Sequence, residues 1–575
     1  MILPINIENI SSFLEPPAGY RFDKSVITTY SLHLDILLTI PLFLDGALKE
    51  EHAVIENYQA VVMMINRFKD SIQVYVQEGE IKSSAISSKK YSKLYELLRD
   101  MITEIPTQKY RSFHPKFWLI SYKNEDNTDK KYKLIVLSKN LTNSKDLDIA
   151  IVFDGTIADD SIHKNINNKI FNFLDETIQD TNFSMNELSK IEWMDINGYQ
   201  LTDIFFIPKD KNNIPFLEDK KFRDECIVFS PFVDKRTGDK NLFSSNNILV
   251  TREDEVNTEI CQNIYKLNDS IVDNEIDNMD LKLFEKSESE DIPIPTNQLH
   301  AKIYVYKKDN QNWLTFGSAN ATERGFNRND EILIHLKAPS GFYKHTKEYI
   351  LDDKKRTFIQ FIPKEKSLEE KEKVEILDIL DDVKSNILAD GINEVKYKSK
   401  TKNLTMKLKD IDLRSDVNLL ISPISLNQLK QFEEDLKWEI KEESQITGWF
   451  RFILLKDGFS REFLIKSELD ISETNYIKEI MQEAADNSQK FLDANIYALL
   501  SNGKVLAGQK QFNSTDTSNS EEHCYSHEIT EDIVDMLLDR YAADEALYQS
   551  VLCLISKSDK YKKLIDILPR AKKCH

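Results

Sequence analysis

Cysteine is scarce in this chain. Five cysteines occur among 575 residues, and no two of them form a Cys-x-x-Cys pair. They therefore indicate neither a disulfide framework nor a zinc site of the usual spacing. No cluster of His, Cys and Asp with metal-ligand spacing stands out either, so we expect neither a metal nor any other cofactor. This cysteine usage fits a reducing compartment, and the sequence predicts a cytoplasmic protein.

Long apolar runs are also missing. The longest runs from Ile36 to Leu44 and is far shorter than the roughly 20 residues that cross a bilayer as a helix. The first residues, MILPINIENISSF, lack the basic region and the apolar core of a secretory signal. The sequence therefore predicts no membrane partner.

Basic residues are outnumbered by acidic ones, 76 against 96, which gives a net charge of −20. This excess argues against a surface that binds nucleic acid over its whole area, although one local basic groove remains compatible with it. The hydrophobic content of 41% and the charged content of 30% are typical of a globular protein. The length suits about three or four domains.

Two segments of the chain carry the same pattern of polar residues. In the first, His114 and Lys116 lie two positions apart in the apolar run FHPKFWLISY, and a strand there would point both side chains to one face. The next apolar run, KLIVL, leads into Ser138 and Asn140. Asp148 then precedes a third strand-like run.

The second copy has the same groups in the same order. His300 and Lys302 open an apolar run, the next run ends in Ser318 and Asn320, and Glu331 begins a third. An imidazole, an ammonium, an amide and a carboxylate would then meet at neighbouring strand ends. This set of groups is suited to binding a phosphate.

Two further His-x-Lys pairs lack the rest of the pattern. His335 and His345 each have Lys two positions later, but no Ser-x-Asn turn follows, and we predict no site at either. The segment around His345 has the pattern of a charged amphipathic helix. For His114 and His300 the alternative is a structural role as buried core histidines.

The double pattern resembles the phospholipase D superfamily, in which His-x-Lys is followed by a Gly/Ser-x-Asn turn and an acidic residue. The Asp that usually lies five positions after the Lys is replaced here by Ser121 and Lys307. In this respect the chain is similar to the tyrosyl-DNA phosphodiesterase branch and to nuclease-like members. The resemblance implies an α/β fold of two similar sandwich halves with mixed sheets, forming a pseudo-dimer around one site.

The residue types suggest a mechanism. One imidazole would attack a phosphodiester to form a phosphohistidine, while the other protonates the leaving oxygen and later activates water. By family analogy His114 is the nucleophile and His300 the acid, although the sequence alone allows the reverse. Asp148 and Glu331 would orient the imidazoles. The groups expected to stabilise charge on the phosphate oxygens are Lys116, Lys302, Asn140 and Asn320, with Ser138 and Ser318 as further substrate contacts.

The chain divides into four predicted segments. Residues 1–192 and 193–364 would form the two halves, 365–510 a C-terminal α+β domain and 511–575 a helical tail. Residues 364–383 have the pattern of a charged amphipathic helix, and five strand-like runs lie between 395 and 470. Residues 27–50 predict a buried helix capped by Ser31.

These observations predict a metal-independent phosphodiesterase that cleaves DNA or RNA. By family analogy it would be an effector of prokaryotic antiviral defence, with a partner such as a helicase bound through the C-terminal region. A DNA-end repair phosphodiesterase and a phospholipase are alternative enzymes. The remaining alternative is a catalytically silent phosphate-binding module that docks a partner protein.

Overall fold

The computed structural model describes most of the chain between residues 13 and 469. The residues left out within this range are 47–57, 84–91, 107–110, 125, 143–147, 181, 219–225, 235–246, 257–262, 269–298, 353, 355, 364–366, 391, 410–412, 415 and 427. The predicted helical tail lies outside the described residues. Within them, no helix is both long and apolar enough to cross a membrane.

The first third of the chain forms a seven-stranded mixed sheet. Its elements are β1 (Tyr20–Thr29), β2 (Leu32–His33), α1 (Leu34–Leu44), α2 (Tyr58–Phe68), β3 (Ile72–Gln77), β4 (Ile81–Lys82), a 3₁₀ helix (Ser92–Met101), β5 (Ile102–Ile105), β6 (Phe117–Asn124), β7 (Lys130–Leu137), β8 (Ala150–Ile157), α3 (Lys164–Phe173) with a π turn (Leu174–Ile178), α4 (Met185–Leu188) and β9 (Ile191–Trp193). The strand order is β5-β3-β1-β6-β7-β8-β9. The short strands β2 and β4 pair separately.

The next segment forms an eight-stranded mixed sheet. Its elements are β10 (Gln200–Ile207), α5 (Pro215–Glu218), β11 (Cys226–Phe229), β12 (Ile248–Val250), β13 (Ile264–Leu267), β14 (Ile303–Lys308), β15 (Gln311–Gly317), α6 (Glu323–Asn327), β16 (Glu331–Ala338), α7 (Phe342–Ile350) and β17 (Phe358–Gln360), with 3₁₀ turns at Lys211–Asn213 and Glu253–Glu255. The strand order is β10-β16-β15-β14-β11-β12-β13-β17.

The two sheets repeat one arrangement. In the first, β5, β3 and β1 are parallel neighbours, and β6, β7, β8 and β9 follow in antiparallel pairs. In the second, β13, β12 and β11 are parallel, and β14, β15, β16 and β10 follow in antiparallel pairs. The predicted α/β class with mixed sheets is confirmed. The pseudo-dimer stays a prediction, with which this repeated order is consistent.

One hydrophobic core spans both sheets. Phe173 of α3 stacks on Phe206 of β10 with ring centroids 4.5 Å apart, and Phe117 of β6 contacts both rings. Such aromatic side chains each bury about 150–250 Å². Because β9 ends at Trp193 and pairs with β8, the first sheet extends one residue beyond the predicted boundary at 192/193. The boundaries themselves stay predictions.

The C-terminal part, which we call the C-terminal unit (residues 368–469), contains a long helix and two small sheets. Its elements are α8 (Leu368–Asp390), β18 (Ile392–Lys398), a 3₁₀ turn (Ser399–Thr401), β19 (Asn403–Leu408), β20 (Asn418–Pro423), β21 (Lys430–Gln431), β22 (Asp435–Glu439), a 3₁₀ turn (Glu443–Gln445), β23 (Trp449–Lys456) and β24 (Phe459–Lys466). All five predicted strand-like runs lie in these strands. The buried Trp449 donates from Nε1 to the Tyr95 carbonyl at 3.0 Å, so the unit packs directly on the first half.

The predicted helix over 27–50 is wrong at its beginning. Residues up to Thr29 belong to β1, which pairs with both β3 and β6, and α1 begins only at Leu34. Strand pairing with distant segments decides the conformation here, and a short apolar run does not reveal it. Ser31 is not the cap, since its hydroxyl donates to the Glu80 carbonyl.

Candidate active site

The two motif histidines lie just before two corresponding strands. His114 and Lys116 immediately precede β6, and His300 and Lys302 immediately precede β14. Both segments are extended. The sequence predicted the two His-x-Lys pairs inside strands, whereas in the structure they come just before the ladder of each sheet begins. Both lysines are fully buried, whereas the histidine side chains keep 13% and 15% of their surface exposed. The imidazoles are therefore the accessible part of each pair.

Each histidine is paired with the acid of the other half. His114 Nδ1 lies 2.7 Å from Oε2 of Glu331, and His300 Nδ1 lies 2.9 Å from Oδ1 of Asp148. We call these two pairs the crossed dyads. Because the partners in each dyad come from different sheets, the two motif copies are brought together at one place. Each Nδ1 is occupied by its acid, so Nε2, which in His114 also contacts the Lys116 amine, is the nitrogen for chemistry.

The acids are held by the two motif serines. Ser138 donates to Oδ1 of Asp148 at 2.9 Å and accepts from the Ile149 N–H. Ser318 donates to Oε2 of Glu331 at 2.5 Å and accepts from the N–H of Ile332 at 3.0 Å. Both hydroxyls were predicted to contact substrate. Their partners indicate instead that they position the carboxylates.

The lysines lie against the histidines. Nζ of Lys116 is 2.8 Å from Nε2 of His114, and Nζ of Lys302 donates to the His300 carbonyl at 2.7 Å. Burial lowers the pKa of Lys116 well below its usual value, with the Lys302 charge adding to this effect. An anion placed between the two lysines would restore the ammonium form, because opposite charge favours it.

The two asparagines occupy equivalent turns. In each turn the threonine two positions later donates its N–H to the asparagine carbonyl at 2.8 Å, Thr142 to Asn140 and Thr322 to Asn320. Among the described residues, the buried Oδ1 atoms of both asparagines lack a hydrogen-bond partner. Buried amide groups are normally paired in proteins. These amides are therefore available to a ligand, and a flip of the amide would present N–H donors to a phosphate.

One glycine fits the second turn for a steric reason. A Cβ on Gly317, which precedes Ser318, would overlap the backbone carbonyl of Ile332. Here β15 and β16 approach too closely for a side chain, so Gly317 keeps Ser318 within reach of its acid. The corresponding position in the first half is Leu137.

Burial keeps both imidazoles neutral. It lowers the pKa of His114 well below the usual value, and the charges of Lys116 and Lys302 lower it further. The pKa of His300 falls to about 4, chiefly through burial and then Lys302, although Asp148 opposes the shift. Neutral imidazole is the form that can attack phosphorus.

The two acids differ from each other. Burial raises the pKa of Glu331 to about 8, and Lys116 and Ser318 offset only part of this. Burial acts on Asp148 in the same direction, but its hydrogen bond to His300 and the charge of His300 outweigh it, so the pKa of Asp148 is lowered. At neutral pH the dyad of His300 therefore contains a carboxylate, whereas that of His114 tends to keep a proton.

Several residues that contribute to the site were not predicted. Arg111 forms a bidentate ion pair with Asp330, with contacts of 3.1 and 2.5 Å. The backbone of Asp330 accepts from the His114 N–H at 2.9 Å, and the Asn329 amide donates to Glu331 at 3.3 Å. Asn329 and Asp330 directly precede Glu331, but nothing in the sequence indicates that they reach the other half.

A further residue missed by the pattern is Tyr30, whose ring packs against His114 with centroids 5.1 Å apart. It follows Thr29, which accepts from the Leu141 N–H at 3.1 Å. In the second half Ser230 accepts from the Ala321 N–H at 2.9 Å in the same way. No polar motif marks Thr29 or Tyr30 in the sequence.

The two histidines excluded by the pattern are structural or exposed. His335 is buried in β16, stacks on Trp313 with centroids 4.7 Å apart and lies 3.0 Å from the Thr315 hydroxyl. His345 is exposed in the helix α7. The helix predicted around His345 is confirmed. In the described part of the chain, no group of three or more His, Cys, Asp or Glu is placed to hold a metal ion.

Comparison with known proteins gives one family model and several weak structural similarities. The model described as the phospholipase D-like domain of cardiolipin synthase matches residues 247–353, which include the second motif. A search of curated proteins finds no match. Among solved structures, yeast tyrosyl-DNA phosphodiesterase is 10% identical with a TM-score of 0.34, covering 56% of this chain and 83% of that one.

Two other structures are similar to a comparable extent. Phosphatidylserine synthase from Haemophilus influenzae is 10% identical with a TM-score of 0.34, covering 66% of this chain and 91% of its own. Polyphosphate kinase from Porphyromonas gingivalis is 11% identical with a TM-score of 0.32, covering 65% and 51%. Similarity at this level does not indicate a substrate.

Proposed function

We propose that this chain, in which residues 247–353 match the model of a phospholipase D-like domain, is a phosphodiesterase acting through a phosphohistidine intermediate. The crossed dyads are the observation on which this proposal rests. They put two accessible imidazoles, each oriented through Nδ1 by a buried acid, beside two buried lysines. A pair of imidazoles at one anion-binding site can divide the roles of nucleophile and acid.

In the first step Nε2 of His114 attacks phosphorus. The N–P bond forms as the bond from phosphorus to the leaving oxygen breaks, and His300 gives that oxygen a proton. Positive charge then develops on the His114 ring, and its Nδ1–H bond to Glu331 stabilises it. In the second step His300 takes a proton from water, whose oxygen displaces His114 from phosphorus.

The remaining groups act on the non-bridging oxygens. Lys116 and Lys302, which lie against the histidines, and the amides of Asn140 and Asn320 would donate to these oxygens. The anion also prepares the acid: negative charge next to His300 raises the pKa of its imidazole from about 4 towards neutrality. Asp148, ionised beside it, acts in the same direction.

For the substrate we propose nucleic acid, either DNA or RNA. This assignment of the substrate rests on the resemblance of the two motifs to the phospholipase D superfamily. It does not rest on a contact within the described residues. The role in antiviral defence, a helicase partner and a cytoplasmic location are likewise predictions. Phosphodiesters of DNA ends and of phospholipids present the same monoanionic group to the site, so the experiment has to compare all three.

The test measures cleavage of bis(p-nitrophenyl) phosphate, labelled single- and double-stranded DNA and RNA, 3′-blocked DNA ends and phosphatidylcholine vesicles, each with and without EDTA. We expect EDTA-resistant cleavage of an oligonucleotide. His114→Ala should lower kcat/KM by roughly 10³-fold or more, as loss of a nucleophile does in comparable sites. His345→Ala is the control, because it removes an exposed His-x-Lys histidine of α7.

A second measurement identifies the intermediate. With His300→Ala and a p-nitrophenyl ester, whose leaving group needs no proton, the adduct should accumulate on the peptide containing His114 and be visible by mass spectrometry. Full activity of His114→Ala, or turnover that requires added Mg²⁺, would overturn the mechanism. Vanadate binding that depends on His114, without cleavage of any substrate, would favour the silent phosphate-binding module.

A further inference from the structure

Tyr30 is the aromatic side chain packed beside the proposed nucleophile. Its ring centroid lies 5.1 Å from that of His114, and the two planes are inclined by 57°. Nζ of Lys116 lies 6.0 Å from the centre of the same ring. The side chain is half-buried and directly follows the end of β1. It therefore gives the His114 ring a packing contact in addition to the hydrogen bond that Nδ1 makes with Glu331.

Only the first half has an aromatic residue at this position. Thr29 and Ser230 are equivalent, because each accepts from the backbone N–H that follows its motif asparagine. The residue after Thr29 is Tyr30, whereas the residue after Ser230 is Pro231. The two histidines thus have matching acids but different neighbours, as expected if their rings have different tasks.

The hydroxyl end of Tyr30 reaches towards the C-terminal unit. It is hydrogen-bonded to the Glu80 carboxylate, whose charge, after burial, raises the pKa of Tyr30. Glu80 forms an ion pair with Lys384 of α8 at 2.6 Å, and these two side chains are only 15% and 13% exposed. The chain of contacts therefore runs from α8 to the proposed nucleophile.

Lys384 is itself held firmly in place. Its Nζ lies 5.4 Å from the centre of the Phe463 ring of β24. One turn earlier, Asp381 accepts two hydrogen bonds from Arg461. On the other side α8 packs on Gly79, whose φ of +73° and contact with Leu388 leave no room for a side chain. The position of Lys384 is thus fixed by the C-terminal unit.

We propose that Tyr30 is a positioning residue for His114 and that the C-terminal unit holds it there through Glu80 and Lys384. The inference rests on the proposed function for the role of His114. A ring packed against the imidazole restricts its tilt and excludes water from it. A displacement of about 1 Å of a reacting group can cost 10²-fold in rate.

Removal of the Tyr30 ring should also change the titration of His114. The charged or polar groups that face His114 are Lys116, Lys302, Glu331 and the backbone of Ser318, and none of them is altered by substitution of Tyr30. Water admitted to the imidazole would raise its pKa towards the usual value, because burial is the main cause that lowers it. Since the nucleophile must be neutral, the acidic limb of the rate profile would move to higher pH.

The experiment compares four variants of the full chain on the substrate that wild type cleaves. Tyr30→Leu should lower kcat by roughly 10²-fold with little change in KM, and should shift the acidic limb upward. Tyr30→Phe keeps the ring but lacks the hydroxyl that binds Glu80, so it should recover part of this loss and fall to about the level of Lys384→Met. Lys384→Met should lower kcat by about tenfold, because Glu80 then loses its partner.

The matched control is Lys24→Met. Lys24 pairs with Glu187 at 2.7 Å with exposures of 19% and 16%, close to those of Lys384 and Glu80, but at another place in the first half. We expect a similar loss of Tm with unchanged kcat. An equal loss of kcat in Lys24→Met and Lys384→Met would overturn the role of the C-terminal unit.

The two proposals fail in different ways. Unchanged kcat and an unchanged pH profile in Tyr30→Leu, together with an inactive His114→Ala, would overturn the positioning role and leave the phosphodiesterase mechanism intact. An active His114→Ala would overturn the mechanism itself. If Tyr30→Leu does not fold, Tyr30→Phe and Lys384→Met decide, since unchanged kcat in both variants would contradict a hold exerted on Tyr30 through Glu80 and Lys384.

Discussion

The acids of the crossed dyads carry different charge at neutral pH. The lowered pKa of Asp148 keeps it ionised beside His300. The pKa of Glu331, raised by burial to about 8, leaves a large fraction of that carboxyl protonated. Environments that push two carboxyl groups apart in pKa commonly separate the acid and base tasks of a site. The asymmetry supports His300 as the group that gains and loses protons during turnover.

This difference predicts a specific pH dependence for Glu331→Gln. Above pH 8 the wild-type carboxyl is ionised and stabilises the His114 ring as it becomes positive, whereas below pH 8 the protonated carboxyl and an amide carry the same charge. The ratio of wild-type to variant rates should therefore rise with pH, from under tenfold at pH 6 to about 10²-fold at pH 9. The burst rate of phosphoenzyme formation measures it.

The control for this prediction is Asp148→Asn, whose wild-type carboxyl is ionised over the whole interval. The ratio of wild-type to Asp148→Asn burst rates should not rise comparably with pH. A ratio for Glu331→Gln that stays constant from pH 6 to 9 would contradict the raised pKa of Glu331 as a kinetic factor.

The motif residues that the structure brings together could be recognised in the sequence, but their pairing could not. The spacing of His300 and Lys302, followed by Ser318 and Asn320, is a local pattern that survives without knowledge of the fold. That Asp148 serves His300 and not His114 depends on contacts across two sheets. Tyr30 was missed for a related reason. A tyrosine after a strand belongs to no distinguishing motif, and its proposed role depends on its packing against the His114 ring.

At the scale of elements, two short segments join the halves. The strand-like segment 111–114 pairs with residues 329–331 through backbone hydrogen bonds, and the Arg111–Asp330 ion pair closes this contact. His114 and Glu331 lie at its end. Their separation therefore depends on a contact in which neither side chain takes part.

We predict that Arg111→Met lowers kcat/KM by roughly tenfold through misplacement of this dyad. Because the Arg111 side chain is 40% exposed, the loss of stability should be small, about 1 kcal/mol or less. Steady-state kinetics and urea unfolding measure the two effects. Lys209→Met, which breaks the exposed Lys209–Glu176 pair, should change neither. Unaltered kinetics in Arg111→Met would show that the backbone pairing suffices.

The elements themselves were predictable where the pattern was local. The predicted runs of the C-terminal unit became strands, and in β19 the alternation is visible, since Leu404, Met406 and Leu408 are buried whereas Lys407 is exposed. The first strand could not be predicted in this way, because the apolar residues of Tyr20–Thr29 are buried on both faces of a central strand. Continuous burial removes the alternation by which a strand is identified.

At the scale of the molecule, the shared core ties the two halves into one unfolding unit. Phe173 and Phe206 come from different halves and stack at 4.5 Å, with Phe117 against both. A division into independent domains at 192/193 would cut through this cluster. Length and linker composition reveal little about such a core, because its contacts join residues distant in the chain.

We predict that Phe206→Ala lowers the free energy of unfolding by about 3–5 kcal/mol. Both halves should lose stability together. When amide exchange is followed in urea, the protection of β6 and that of β14, measured separately, should be lost in one transition. Ile359→Ala is a suitable comparison, because that side chain is 40% exposed and should change the free energy by less than about 0.5 kcal/mol. Two separate transitions, of which only one moves, would contradict the shared core.

Each histidine is paired with the acid of the other half, so both chemical steps depend on the distance between the two halves. If the sheets moved apart by the length of one hydrogen bond, His114 would lose Glu331 and His300 would lose Asp148 at the same moment. A uniform separation of the halves would therefore weaken both dyads together. Activity would then fall more steeply with this distance than if each half supplied the acid of its own histidine.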